Sequence, residues 1–169
     1  MSDHLSENHI AAWATLMRVS QASLDGVEAD LKAAGFPPLV WYDVLLELRR
    51  APEGRLRLSE IGGKILLSKS NVTRVIDRLV AKRLARREHC AEDGRGAFAV
   101  ITGDGRDLLA RMWPAYRASL ARHFGARLSD LEAAQLAALL DKLNGSLSIS
   151  RPWAGTGEAS AARRDKRDR

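Results

Sequence analysis

The stretch from Ser68 to Leu84 restricts the fold more than any other part of this chain. Val72, Val75, Ile76, Leu79 and Val80 recur at the spacing of one helical face. Ser70, Arg74, Asp77 and Arg78 fall on the opposite side, with Asn71 and Thr73 on its flanks. Such a helix, capped by Ser68 and running to about Leu84, buries a narrow apolar stripe and leaves a broad polar face for a partner or for water. Directly after it the period shortens. Residues 85–90 and 97–102 read as two short strands, the second carrying the β-preferring Phe98, Val100 and Ile101. The six residues between them, Ala-Glu-Asp-Gly-Arg-Gly, form a charged, glycine-bearing hairpin loop.

One helix and one hairpin do not make a core, so the flanking segments must supply it. Residues 8–34 place Ile10, Trp13, Met17, Leu24, Val27 and Leu31 in helical steps, with Ser20 at the vacant one. Gly35, Pro37 and Pro38 stop that helix. A second helix over 39–50 carries Val40, Val44, Leu45 and Leu48, and Ala-Pro-Glu-Gly at 51–54 is a turn. Arg-Leu-Arg-Leu at 55–58 alternates over too few residues to stand alone, and is expected to be a strand paired elsewhere. A short helix over 59–66 follows, with Ser59 as its cap. Downstream, a long helix over 105–124 is expected to bend at Pro114. A last helix over 129–148, capped by Ser129, aligns Leu136, Leu139, Leu140, Leu143 and Leu147. Residues 151–169 turn to Gly, Ala, Ser and charge, the composition of a disordered tail.

The formal net charge of +6 is unevenly spread. From Lys69 to Arg95 there are eight Lys/Arg against four Asp/Glu, and from Arg151 onward six against three, so the rest of the chain is close to neutral. Basic residues gathered on a helix and its hairpin fit nucleic acid, although a solvated helix face has the same composition. No apolar run approaches a bilayer span and the polar start lacks the features of a secretion signal, so a cytoplasmic protein without a membrane segment is expected. The single Cys90 can neither close an intrachain disulfide nor build a thiolate metal cluster. The four histidines show no short metal spacing, and no nucleophile elbow, phosphate loop or dinucleotide fingerprint is present. Neither a metal, a cofactor nor an enzyme is implied.

The order helix, turn, helix, charged hairpin is that of a winged helix-turn-helix. The class expected is therefore mainly α with a small β-hairpin wing, its DNA-reading surface lying between Arg55 and Thr102. Short polar side chains and arginines on the second helix suit base edges and phosphates in the major groove, and Arg95 on the hairpin, oriented by Asp93, suits the neighbouring minor groove or backbone. The same fold also serves protein–protein contact.

At these residues the sequence resembles the MarR family of bacterial transcriptional regulators. The likeness is carried by Trp41-Tyr42-Asp43-Val44-Leu45-Leu46-Glu47-Leu48, Leu58-Ser59-Glu60-Ile61, Ser68 through Leu79, and Asp93-Gly94-Arg95-Gly96 followed by Val100-Ile101-Thr102 and Gly105. It implies a homodimer on a pseudo-palindromic double-stranded DNA site, with residues 1–36 and 105–150 as N- and C-terminal dimerisation helices, 37–104 as the DNA-binding lobe and 151–169 as a basic tail. It further implies that Ser68, Lys69, Ser70, Asn71, Thr73, Arg74 and Arg78 line the recognition helix, and Asp93 and Arg95 the wing. Members often respond to small aromatic acids, for which Trp13, Met17, Trp41 and Tyr42 could furnish a wall, though aromatics and methionine at helical spacing are usually core. Redox sensing through Cys90, beside Arg86, Arg87 and His89, is a less favoured alternative. Two departures from the family pattern stand out. Gly62-Gly63 replaces better helix formers, at about 1 kcal/mol each, and Arg83 stands where glycine is usual.

Overall fold

The computed structural model describes residues 5–65, 69–89 and 97–147. Helix α1 spans Glu7–Ala33 and α2 Leu39–Arg50, followed by a single 3-10 turn at Pro52–Gly54 and the short strand β1, Arg55–Arg57. Helices α3, Leu58–Ile65, and α4, Lys69–Ala81, come next, then strands β2, Ala85–His89, and β3, Ala97–Ile101. Helix α5, Gly103–His123, a 3-10 turn at Gly125–Arg127 and helix α6, Asp130–Leu147, complete the described chain.

The ends of these helices have identifiable causes. Ser6 caps α1, its hydroxyl accepting from the His9 N–H. Pro38 offers α2 no side-chain cap; instead Glu28 reaches across from α1 and accepts the Leu39 N–H at 3.0 Å. Ser129 and Glu132 form a reciprocal capping box at α6: the serine hydroxyl accepts the Glu132 N–H at 3.4 Å and the carboxylate accepts the Ser129 N–H at 2.8 Å.

Three expected boundaries are corrected. Leu58 is helical, so Ser59 lies inside α3 and does not cap it; the Glu60 carboxylate accepts the Arg57 N–H at 3.0 Å from the third position after it. Helix α4 ends at Ala81, three residues before Leu84. The Leu84 N–H bonds back to the Leu79 carbonyl and the Arg83 N–H to that of Val80, while Arg83 takes φ 59°, the left-handed closure of a helix. Thr102 is not strand: its hydroxyl accepts the Gly105 N–H at 3.1 Å, starting α5 two residues earlier than expected. Helix α5 also carries Pro114 in its interior without ending there.

Strand β1 finds its partner in β3, which lies between β1 and β2 in an antiparallel sheet. Arg55, Leu56 and Arg57 stand opposite Val100, Ala99 and Phe98. Leu56, Ala99, Ile101 and Ala85 face inward and join one core with Val44, Leu45 and Leu48 of α2, Ile61 of α3, Val72, Ile76 and Leu79 of α4, and Leu108, Leu109 and Met112 of α5. From α1 only Val27 and Leu31 enter it; Ile10, Trp13, Met17 and Leu24 on the same stripe are exposed, as are Leu139, Leu140 and Leu143 of α6.

Candidate nucleic-acid interface

Helix α4 is anchored by its apolar side. Val72, Ile76 and Leu79 are almost wholly buried and Val75 nearly so, which fixes the helix about its own axis and turns Ser70, Asn71, Thr73, Arg74, Asp77 and Arg78 to the exterior. Helix α3 packs against it, with Ile61 fully buried. Asp77, the carboxylate of this outer face, is held at 2.7 Å by Arg87 of β2, so the helix is tied to the sheet beside it and the acid is drawn toward a cation outside α4. Lys69 begins the helix. Ser68, Cys90, Asp93 and Arg95 lie outside the described residues.

The sheet presents a second polar surface. Side chains alternate along a strand, and because Leu56 is buried, Arg55 and Arg57 both project away from the core. Their guanidinium carbons each lie 5.1 Å from the centre of the Phe98 ring. Glu53 holds Arg55 at 2.9 Å, and Glu88 bonds Arg86 and approaches Arg55 at 3.8 Å. Sequence reading did not single out this cluster. The alternation of Arg55, Leu56 and Arg57 was visible, but the pairing of β1 with β3 that sets Arg57 opposite Phe98 is a long-range contact.

The four aromatic and methionine residues suggested as a ligand wall separate into two environments. Tyr42 is 3% exposed and meets Tyr116 edge-on at 5.0 Å, with Trp113 a further 6.2 Å from Tyr116, and Trp41 is half-buried against the same core. Trp13 and Met17 lie on the uncovered stripe of α1, 64% and 41% exposed. Between Tyr42 and Val44 sits Asp43, whose carboxyl is raised from the ordinary 3.8 to about 6, chiefly by burial and further by the negative Glu28 and Glu47. Burial, with Asp43 and Tyr42 nearby, pushes the Tyr116 phenol up to about 12.

A helix pair whose second member shows a polar face, closed by an antiparallel sheet in the order β1-β3-β2, is a winged helix-turn-helix. A family model described as MarR family matches residues 34–96. The chain is 35% identical over 113 residues to the uncharacterized HTH-type transcriptional regulator YkoM of Bacillus subtilis, covering 67% of this chain and 71% of that protein. The fold superimposes on AbsC, a MarR family transcriptional regulator from Streptomyces coelicolor, with a TM-score of 0.75 and 29% identity, covering 88% of this chain and all of the other. It also matches Bordetella bronchiseptica BpsR, described for the regulation of its DNA binding by 6-hydroxynicotinic acid, with a TM-score of 0.70 and 25% identity over 79% of this chain and 98% of that one. The chain belongs to the MarR family of bacterial transcriptional regulators.

Proposed function

We propose that this protein is a sequence-specific, double-stranded DNA-binding repressor that acts as a homodimer on a pseudo-palindromic operator and is released by a small aromatic acid. The observation that carries the reading is the outer face of α4, where Ser70, Asn71, Thr73, Arg74 and Arg78 stand exposed on a helix held rigidly by its apolar side. Short polar side chains at the start of such a helix match base edges, and arginines match guanine or phosphate. Lys69, with Ser68 before it, and the Asp93–Arg95 pair of the hairpin loop complete the proposed footprint. Residues 37–104 form the DNA-binding lobe in this reading, 1–36 and 105–150 the dimerisation helices, and 151–169 a basic tail.

A dimer is favoured by the apolar residues that the protomer leaves uncovered on α1 and α6. Two copies of α4 then have to stand about 34 Å apart, one turn of B-DNA. A ligand that prefers another spacing lowers DNA affinity by its differential binding to the two states. The effector class follows BpsR, whose DNA binding is regulated by an aromatic acid, with Trp13, Met17, Trp41 and Tyr42 as the suggested wall. No helix among the described residues is long and apolar enough to cross a membrane; the proposed DNA-binding role is what supports a cytoplasmic location.

Selection of bound duplexes from random DNA, repeated with a panel of aromatic carboxylates, tests the whole reading; an inverted repeat released by one compound is expected. In gel-shift titrations, Arg74→Ala and Arg78→Ala are expected to weaken binding on matched and scrambled sites alike. Asn71→Ala and Thr73→Ala are expected to narrow the gap between those sites, each lost base contact costing about 1–3 kcal/mol of discrimination. A protein-binding winged helix would instead show no steep fall of duplex affinity with salt, and that result would remove the proposal.

A further inference from the structure

We infer that Arg87 of β2 is a positioning residue of the DNA interface, acting through Asp77: it holds that carboxylate away from Arg74 and so leaves Arg74 to the phosphates. The inference rests on the DNA-binding reading above and gives a role to a side chain outside the recognition helix.

The need for it arises within α4. Asp77 is the only acidic residue in the sequence of that helix, and it stands exposed on the same side as Ser70, Arg74 and Arg78. A carboxylate there opposes a polyanion directly. It also competes for the cations around it. Residues three apart on a helix are neighbours, whereas adjacent ones do not face each other, so Asp77 has Arg74 within reach more readily than Arg78. Left without another partner, the acid would pair with Arg74 and remove one positive charge from the face that α4 offers to DNA.

Strand β2 supplies that other partner. Side chains alternate along a strand, and the register sets Ala85 opposite Ile101 and Arg87 opposite Ala99. Ala85, Ala99 and Ile101 are buried, so Arg87 belongs to the sheet face turned toward the helices, and β2 lies against α4. Its guanidinium donates to Asp77 Oδ1 at 2.7 Å. Arg86 and Glu88 project from the opposite face, where they bond each other, and Arg86 is therefore not placed to substitute. The Arg87 and Asp77 side chains are 38% and 60% exposed, and an ion pair so open to water adds little to folding. Its consequence belongs to the surface on which it lies, where it decides how many cations α4 can present.

The experiment is a double-mutant cycle on the full chain, read as duplex affinity against salt, with thermal unfolding used to check each variant. Arg87→Gln is expected to weaken matched and scrambled duplexes by the same factor and to reduce the slope of log affinity against log salt by about 0.9 for each subunit engaged, as Arg74 turns to Asp77. Adding Asp77→Asn to Arg87→Gln is expected to return affinity and slope toward wild-type values, because the competing charge is gone. A direct phosphate contact by Arg87, or a purely structural tether, would give no such recovery. If Arg87→Gln binds as wild type does, or the double variant stays as weak as Arg87→Gln, while Arg74→Ala still weakens binding, the role of Arg87 is overturned and the α4 interface stands. Should Arg87→Gln fail to fold, Asp77→Asn alone decides: affinity at or above the wild-type value supports an acid that has to be masked, and affinity below it overturns that role. A wild-type protein indifferent to duplexes at low salt overturns both readings.

Discussion

Arg83 and Asp43 each hold a local state that their side chains do not ordinarily prefer. Arg83 holds φ 59° to close α4, a conformation that costs an L-residue other than glycine about 1–2 kcal/mol. Its carbonyl is held in place by the Thr102 hydroxyl, which donates to it at 2.7 Å. That bond uses only the main chain of residue 83, so Arg83→Gly is expected to raise the denaturant midpoint, by about 1 kcal/mol in unfolding free energy, without changing the denaturant dependence. Asp43 responds to pH. Its carboxyl titrates near 6 in the folded protein against an ordinary 3.8, so the folded state keeps a proton that the unfolded chain has already lost. The stabilisation from that proton is fully present below about pH 3.8 and disappears as pH rises through about 6. Its ceiling, at 1.36 kcal/mol for each tenfold change, is about 3 kcal/mol. The stability of wild type relative to Asp43→Asn, followed by denaturant unfolding from pH 4 to 7, is expected to fall with rising pH; a flat difference would show that neither burial nor the neighbouring Glu28 and Glu47 raises the Asp43 carboxyl.

Between elements, two close approaches define how the helices meet. A Cβ added at Gly105 would overlap the Leu84 carbonyl oxygen and come within 3.0 Å of Ile101 and 3.2 Å of Leu45, so α5 can start beneath the sheet only with hydrogen at this position. Main chain cannot yield as a flexible side chain can, and Gly105→Ala is expected to destabilise by about 3 kcal/mol, the upper part of the usual overpacking range, measured as a lowered unfolding midpoint. Farther along α5, Ser119, Arg122 and His123 all bond Asp30 of α1, at 2.6, 2.9 and 2.9 Å, and the His123 ring lies directly over Gly26. The Ser119 hydroxyl bond is the leading cause that holds the Asp30 carboxyl below its ordinary range, followed after opposing desolvation by His123 and Arg122. Gly63 is the opposite case from Gly105. It sits in α3 with open space where its Cβ would be, so Gly63→Ala is expected to stabilise by roughly 0.8–1 kcal/mol, the difference in helix propensity. A loss of stability in that variant would mean that α3 needs the freedom of glycine.

Among the described residues, α1 and α6 leave apolar side chains that the core does not cover. Trp13 and Leu139 are 64% and 57% exposed, and α6 makes only slight contact with the other described elements. In the proposed dimer, the rows of exposed apolar side chains on α1 and α6 would supply the association surface. In the dimer proposed above, a carboxylate at position 13 would be forced out of water without a partner. Trp13→Glu is therefore expected to shift the protein from dimer to monomer in sedimentation equilibrium, with its thermal unfolding becoming independent of concentration. A wild-type protein that sediments as a monomer throughout would remove the dimer from the proposal.

Local periodicity alone determined that α1, α2, α4, α5 and α6 are helices, that a hairpin follows α4, and that Ser70, Asn71, Thr73, Arg74 and Arg78 lie away from Val72, Ile76 and Leu79. Side-chain direction within a helix or strand depends only on residues a few positions away, and that information is written along the chain. Contacts that periodicity does not carry decided the rest. Some are local: Leu58 begins a helix at which the Glu60 carboxylate accepts the Arg57 N–H. Helix α4 closed at Ala81 because Arg83 accepted a left-handed turn, which Thr102 then secured. The partner of β1, and with it the meeting of Arg57 and Phe98, required residues some forty positions apart to pair. A leucine stripe reads the same whether it faces its own subunit or another, so only packing could separate Val27 and Leu31, which are enclosed, from Ile10 and Trp13, which are not.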